Sequence, residues 1–201
     1  MANFVLLTDF VGEIAISQSK YGNDKLNSII TTTEAKILTD LLGDDLYLKL
    51  KADLVNNIPQ TTKYLNLVNG VTYSVKNIDN IDVNVDYKGI KQMLRYFIYA
   101  ELIRLQETDN TEVGEVEEKQ QNSTRAKKAQ LNTLISNAYN NGVKLYGKDI
   151  EGFSVSIKMH NNEYFYNLVK NNCFNFLYKH ITDYPTWQFT PKEYMFLNGY
   201  L

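Results

Sequence analysis

The sequence predicts a mainly α protein: a helical bundle with a short β-hairpin or extended arm and an extended C-terminal tail. Three observations predict it. Apolar residues recur at helical spacing over several long stretches, whereas strict apolar/polar alternation is confined to Val71–Val75 and Ile81–Val85. The segment 183–201, DYPTWQFTPKEYMFLNGYL, carries Pro185 and Pro191 among many aromatics, which disfavours one continuous helix. No linker rich in Pro, Gly or Ser divides the 201 residues, so the chain reads as one domain, 1–201, with an interaction arm at 107–123 and a tail at 183–201.

In order along the chain, Asn23 or Asp24 is positioned to cap a helix running to Leu42. Leu26, Ile29, Ile30, Ile37, Leu38, Leu41 and Leu42 supply its apolar side, and Thr31 to Thr33 weaken its middle. Gly43 ends it. Asp44 and Asp45 suit the first turn of a second helix, where acidic groups oppose the helix dipole, and Leu46, Leu50 and Leu54 form its apolar stripe. Pro59 and Asn69-Gly70 punctuate the chain before the alternating pair Val71/Tyr73/Val75 and Ile81/Val83/Val85, which reads as a hairpin. The stretch 88–106 places Ile90, Leu94, Phe97, Ile98, Leu102 and Leu105 on one helical stripe, with Lys91, Arg95 and Arg104 on the wet side.

The arm that follows, ETDNTEVGEVEEKQQNS, is acidic, nearly free of apolar residues and centred on Gly114. An insertion of that composition within one domain is either functional or disordered. Asn122 or Ser123 then caps a returning helix whose stripe is Leu131, Leu134, Ile135, Ala138 and Leu145, with Arg125, Lys127 and Lys128 in its first turn. Helical spacing appears again over 163–181 through Phe165, Leu168, Val169, Cys173, Phe176 and Leu177. In the tail, Trp187, Phe189, Tyr194, Phe196 and Tyr200 call for another surface to cover them. The load of 15 Tyr and 9 Phe suits core filling or anchoring between subunits.

Composition narrows the function. A formal net charge of -2 gives no global field for holding a polyanion, which disfavours a dedicated DNA-binding domain. The single cysteine, Cys173, excludes an intramolecular disulfide and fits a reducing compartment. The opening MANFVLLTDFVGEIAIS is broken by Asp9 and Glu13 and lacks a basic start, so it reads as neither signal peptide nor membrane span; the expectation is a soluble chain, cytosolic when made. Neither GxGxxG, GxxxxGK[ST] nor GxSxG occurs. Cys173 and His180, two turns apart on one expected helix, are too distant for direct activation, and Cys173 reads as a packed core thiol. His160 reads as a loop or near-cap residue. The expectation is no catalysis and no cofactor.

Asp82-Val83-Asn84-Val85-Asp86 has the DxNxD opening of a calcium loop. Such a loop needs Gly sixth and Glu twelfth, and Tyr87 and Met93 stand there, so an edge strand is the better reading and no metal site is expected. A metal-assisted hydrolase built on Asp79, Asp82 and Asp86 is the enzymatic alternative. Arg125, Lys127 and Lys128 are the candidate DNA contacts and define another alternative, a nucleic-acid-binding accessory protein.

Four stretches in succession carry a resemblance: LTDLLGDDLYLKL (Leu38 to Leu50), YLNLVNGVTYSV (Tyr64 to Val75), GIKQMLRYFIYAELIR (Gly89 to Arg104) and TEVGEVEEKQQNSTRA (Thr111 to Ala126). Their order resembles the head-to-tail connector proteins of tailed bacteriophages, also called adaptors or head completion proteins, especially those of crAss-like phages. The resemblance implies a structural virion protein: a helical bundle forming a closed ring of about twelve copies in the neck, below the portal. It would join capsid to tail and continue the DNA channel, after assembly in the host cytoplasm. The implied partners are other copies of the chain, the portal protein, adjacent neck or tail proteins and, transiently, genomic DNA; no membrane is involved. A ring in a lower tail layer is the variant of this reading. The expected subunit or portal interface comprises Glu112, Val113, Gly114, Glu115 and Val116 in the arm, which is more acidic than the family's, and Trp187, Phe189, Tyr194, Phe196 and Tyr200 in the tail.

Overall fold

The computed structural model describes residues 3–16, 22–76, 79–112, 121–147, 159–160, 163–164, 171–190, 192 and 195, without the side chains of 106–112, 121–128, 159–160 and 163–164. Helices dominate: α1 (Asn23–Leu42), α2 (Asp44–Ala52), α3 (Thr62–Asn69), α4 (Ile90–Glu112), α5 (Gln121–Tyr146) and α6 (Cys173–Lys179). Among the described residues the strands form three two-stranded antiparallel sheets, β1 (Leu54–Val55) with β2 (Ile58–Pro59), β3 (Val71–Lys76) with β4 (Asp82–Tyr87), and β5 (Met159–His160) with β6 (Glu163–Tyr164). The fold is therefore mainly α with short hairpins, as the periodicities require.

The corner at Gly43 follows the sequence closely. Leu26, Ile30, Ile37, Leu38, Leu41 and Leu42 bury one side of α1, and Leu46 and Leu50 bury one side of α2. Two details differ. Gly22 occupies the cap position, so Asn23 and Asp24 lie inside the first turn of α1. Leu54 leaves the helical stripe because α2 stops at Ala52, and it enters β1 half-buried.

The middle hairpin has the expected phase. Tyr73, Val75, Val85 and Tyr87 are buried, while Thr72, Ser74, Lys76, Asp82, Asn84 and Asp86 face water. Tyr73 pairs with Val85 and Val75 with Val83, so each strand contributes one apolar face. The shoulders of this hairpin cross at Gly70 and Gly89. A Cβ on Gly70 would stand 2.2 Å from the Tyr87 carbonyl oxygen, and one on Gly89 would stand 2.2 Å from that of Val68. Both residues have φ in the left-handed region, +91° and +82°, so two backbones meet where side chains have no room.

Against the inner face of the hairpin lies a cluster rich in hydroxyl and thiol groups. The Tyr87 ring stacks on Phe176 at 4.3 Å, and its hydroxyl sits 3.0 Å from the Leu67 carbonyl and 3.3 Å from Cys173 Sγ, which in turn is 3.7 Å from Met93 Sδ. Burial pushes the Cys173 thiol and the Tyr73 hydroxyl up to about 12 each, Tyr87 well above its ordinary value, and Tyr146 and Tyr184 upward as well. All five hold their protons more tightly folded than unfolded. Their contribution to stability is thus complete below the unfolded values of 9.0 for the thiol and 10.0 for tyrosine, and is lost as pH rises through the folded ones. We expect the urea midpoint to hold steady to about pH 9 and to fall steeply toward pH 12; a midpoint constant across that window would contradict the buried cluster.

The C-terminal chain closes the body. α1 ends with four carbonyls that the helix itself leaves open, and all four are met. Gly43 N–H donates to Thr39 at 2.8 Å, Thr190 N–H to Asp40 at 2.8 Å, Trp187 Nε1–H to Leu41 at 2.7 Å and Gln188 N–H to Leu42 at 3.0 Å. The Tyr184 hydroxyl donates to Lys63 O at 2.7 Å, that of Tyr146 to Thr190 O at 2.5 Å, and Lys192 pairs with Asp40 at 2.5 Å.

Candidate assembly interface

α4 and α5 form an antiparallel pair, as the contacts of Phe97 with Tyr139 and Gly142, and the cluster of Ala100, Ile103, Ile135 and Ala138, require. The buried side of α5 is formed by Ile135, Ala138, Gly142, Val143 and Tyr146, and Leu134 is 49% exposed. The expected stripe was thus misphased at Leu134. Counting apolar residues alone overlooks Gly142, which lets the Phe97 ring approach to 3.0 Å of where a Cβ would stand. On α4, Ile90, Leu94, Phe97, Ile98 and Leu102 are buried as expected, but Arg95 is half-buried, with its Nη1 donating to Gln92.

The polar arm is shorter than its composition suggests. α4 continues through Glu107–Glu112 and α5 begins at Gln121, so Asn122 and Ser123 are helical residues rather than caps. A polar sequence is compatible with a solvated helix when a neighbouring helix supports it. Between the two helices remains 113–120. Val113, Gly114, Glu115 and Val116 lie outside the described residues, and Glu112 is the last residue of α4. Arg125, Lys127 and Lys128 lie in α5, with side chains outside the description. The last α4 residue in the main core is Leu102, and the helix runs ten residues further, which carries its end about 15 Å along the axis.

Of the tail aromatics, Tyr194, Phe196 and Tyr200 lie outside the described residues. Trp187 and Phe189 are half-buried against their own chain. Phe189 packs on Tyr146 at 5.2 Å and Phe174 at 4.9 Å, and Trp187 meets Phe174 at 5.5 Å. Their covering surface is α1, α5 and α6 of the same protomer, so a neighbour would meet only the outer part of each ring.

The candidate metal residues are spread along an exposed strand edge. Asp82 and Asp86 face solvent on β4, where Lys76 stands 3.8 Å from Asp82 and Lys88 pairs with Asp86; Asp79 is exposed in the turn. Among the described residues no group of three His, Cys, Asp or Glu side chains is placed to hold a metal ion. Cys173 is fully buried in the role of a core thiol. Of the helix expected over 163–181, Glu163–Tyr164 is strand β6, Phe165, Leu168 and Val169 lie outside the described residues, and Cys173–Lys179 is helical; Asn172, in extended conformation, caps α6 by accepting from Asn175 N–H at 2.9 Å. His160 is a strand residue of β5, paired with Glu163, rather than a loop or cap residue. No helix among the described residues is long and apolar enough to cross a membrane.

Two features escaped the sequence reading. Glu34, which follows Thr31 to Thr33 on α1, is fully buried: its Oε2 accepts from Phe4 N–H at 2.8 Å and Val5 N–H at 3.1 Å, and its Oε1 pairs with Lys51 at 3.0 Å. Burial raises this carboxyl, with Lys51 and the two amides pulling the other way. The second is the apolar tip of the β1–β2 hairpin, where Val55 and Ile58 face each other across the turn, both more than half exposed.

Over residues 38–153 the chain matches a family whose description is a family of unknown function, DUF6712. No curated protein matches the chain, and no solved structure does.

Proposed function

The chain belongs to this family of unknown function, and from that premise we propose that it is a structural virion protein, a ring subunit of the head-to-tail connector beneath the portal of a tailed bacteriophage. Its work is to join capsid to tail and to continue the channel for DNA; it performs no reaction. The observation that supports this reading is the α4–α5 hairpin. Two helices of 23 and 26 residues, packed through Ala100, Ile103, Ile135 and Ala138, are joined in the chain by the acidic segment 113–120. A lever of that kind reaches a neighbour without disturbing the body that holds it. In a closed ring one patch of each copy meets a different patch of the next, so a projecting element finds its receptor by assembly. The order of the four sequence stretches, which resembles that of connector proteins, supports the same reading.

The reading predicts that replacing 113–120 by a Gly/Ser segment of equal length leaves the helical circular-dichroism signal and thermal midpoint of the protomer unchanged. The same replacement abolishes stable association with the portal in co-sedimentation. Undiminished portal association by the replaced chain would count against the role of the hairpin tip.

A further inference from the structure

We propose that the C-terminal tail is a strap that keeps the outer half of α5 docked on α4, and that Asn140 is its latch. The strap is made within one chain and acts whether or not that chain enters a ring. Met195 is gripped through its own backbone: its N–H donates to Asn140 Oδ1 at 2.8 Å, and its carbonyl accepts from Asn140 Nδ2–H at 3.2 Å. Its side chain packs on the small cluster of Ala100, Ile103, Ile135 and Ala138 that joins α4 to α5.

Upstream, the same tail is anchored on the end of α1. Trp187, Gln188 and Thr190 cap the last carbonyls of that helix, Lys192 pairs with Asp40, and the Thr190 carbonyl accepts from the Tyr146 hydroxyl of α5 at 2.5 Å. Through the tail, α5 is therefore tied to α1 at two places, Tyr146 and Asn140, about 9 Å apart along the helix axis. One attachment leaves a helix free to tilt about it. A second removes that freedom.

The outer half of α5 needs this support because its own packing is thin. Inward of Asn140, Gly142, Val143 and Tyr146 are buried, with Gly142 and Tyr146 against Phe97 and with Val143 and Tyr146 in the main core. Outward of it, Ile135 and Ala138, with half-buried Leu131, supply the described apolar contact with Ala100 and Ile103. Ser136, one turn before Asn140, is buried with its hydroxyl unpartnered among the described residues, and an uncompensated polar group weakens this half further. A helix with few buried apolar contacts opens before the rest of a domain, and once undocked it frays. Drawing the tail away from Asn140 thus releases the outer half of α5 while α1 and the β3–β4 hairpin keep their core. The reach of the α4–α5 hairpin becomes conditional on where the tail is seated.

Amide hydrogen exchange, read by mass spectrometry, tests the strap on the full chain, on Asn140→Ala and on a chain ending at Lys192, which keeps the α1 anchor and loses Met195. Two hydrogen bonds of ordinary net strength correspond to a factor of roughly thirty in the ratio of docked to open forms. Amides of 129–138 should therefore exchange about thirtyfold faster in Asn140→Ala, and at least as fast in the shortened chain, while those of α1 and β3–β4 keep the rates of the full chain. Unchanged exchange over 129–138 in both variants would overturn the strap. An acceleration spread evenly over α1, β3–β4 and α5, or loss of the helical circular-dichroism signal, would overturn it as well, since a strap that opens locally leaves the body folded. None of these results bears on whether copies of the chain form a ring, which sedimentation of the full chain reads separately.

Discussion

Replacing Gly70 or Gly89 by Ala should destabilise the protein by about 3 to 5 kcal/mol, read as a fall in the urea midpoint. A backbone conformation of positive φ costs an alanine about 1 to 3 kcal/mol, and overpacking adds about 1 to 3 kcal/mol. The upper part of that range applies because the obstacles are backbone oxygen, carbon and nitrogen atoms of the opposite shoulder, 2.2 to 2.9 Å from the new methyl group, and a backbone cannot rotate aside as a side chain can. Gly12 provides the control. It has φ of +67° with open space around its Cβ position, so Gly12→Ala should show only the conformational cost, about 1 to 2 kcal/mol. Equal losses at all three positions would mean that the shoulders do not meet as closely as described. The crossing also brings the end of α3 beside the start of α4, since Gly70 follows Asn69 and Gly89 precedes Ile90.

Glu34→Ala should cost about 3 to 5 kcal/mol, and Glu34→Gln about 1 to 2 kcal/mol. Alanine strands two buried amides, those of Phe4 and Val5, and opens a cavity; an unsatisfied buried donor alone costs about 1 to 3 kcal/mol. Glutamine keeps the volume and an oxygen facing the same amides. Its amino group then opposes Lys51, but that side chain is 23% exposed and can turn to water. Burial already lifts the Glu34 carboxyl, so losing its charge costs less than losing its acceptor oxygen. Thermal unfolding of the three chains at neutral pH checks the order; a glutamine variant as unstable as the alanine one would show that charge, and not the acceptor oxygen, anchors the N-terminal segment. That segment also holds Asn57 through Asn3 N–H, so loss of Glu34 should loosen the β1–β2 tip as well.

Elements whose signal is local could be read from the sequence. The α1–Gly43–α2 corner combines an apolar period, a glycine and two acidic residues within a few positions, and the β3–β4 hairpin declares itself by alternation over six residues a strand. What could not be read depends on partners distant in the chain. Glu34 in a helix looks solvated until Phe4, Val5 and Lys51 arrive from 30, 29 and 17 residues away. The aromatic tail looks exposed until its backbone is seen to satisfy the end of α1, 146 residues earlier for Trp187. The polar ends of α4 and α5 look like coil because they carry no apolar period, and helix propensity alone is a weak signal. Asn171-Asn172 carried a start signal for α6 that the apolar period over 163–181 obscured, since a side-chain cap marks a boundary that hydrophobic spacing does not. The exposed pair Val55 and Ile58 lies in a two-residue strand pair too short to register as a pattern.

The most direct measurement is electron microscopy of the purified protein with and without the portal ring. The account predicts closed rings of uniform copy number that stack coaxially on the portal, with an open lumen. A particle population of single protomers in both samples, with portal rings left bare, would contradict it.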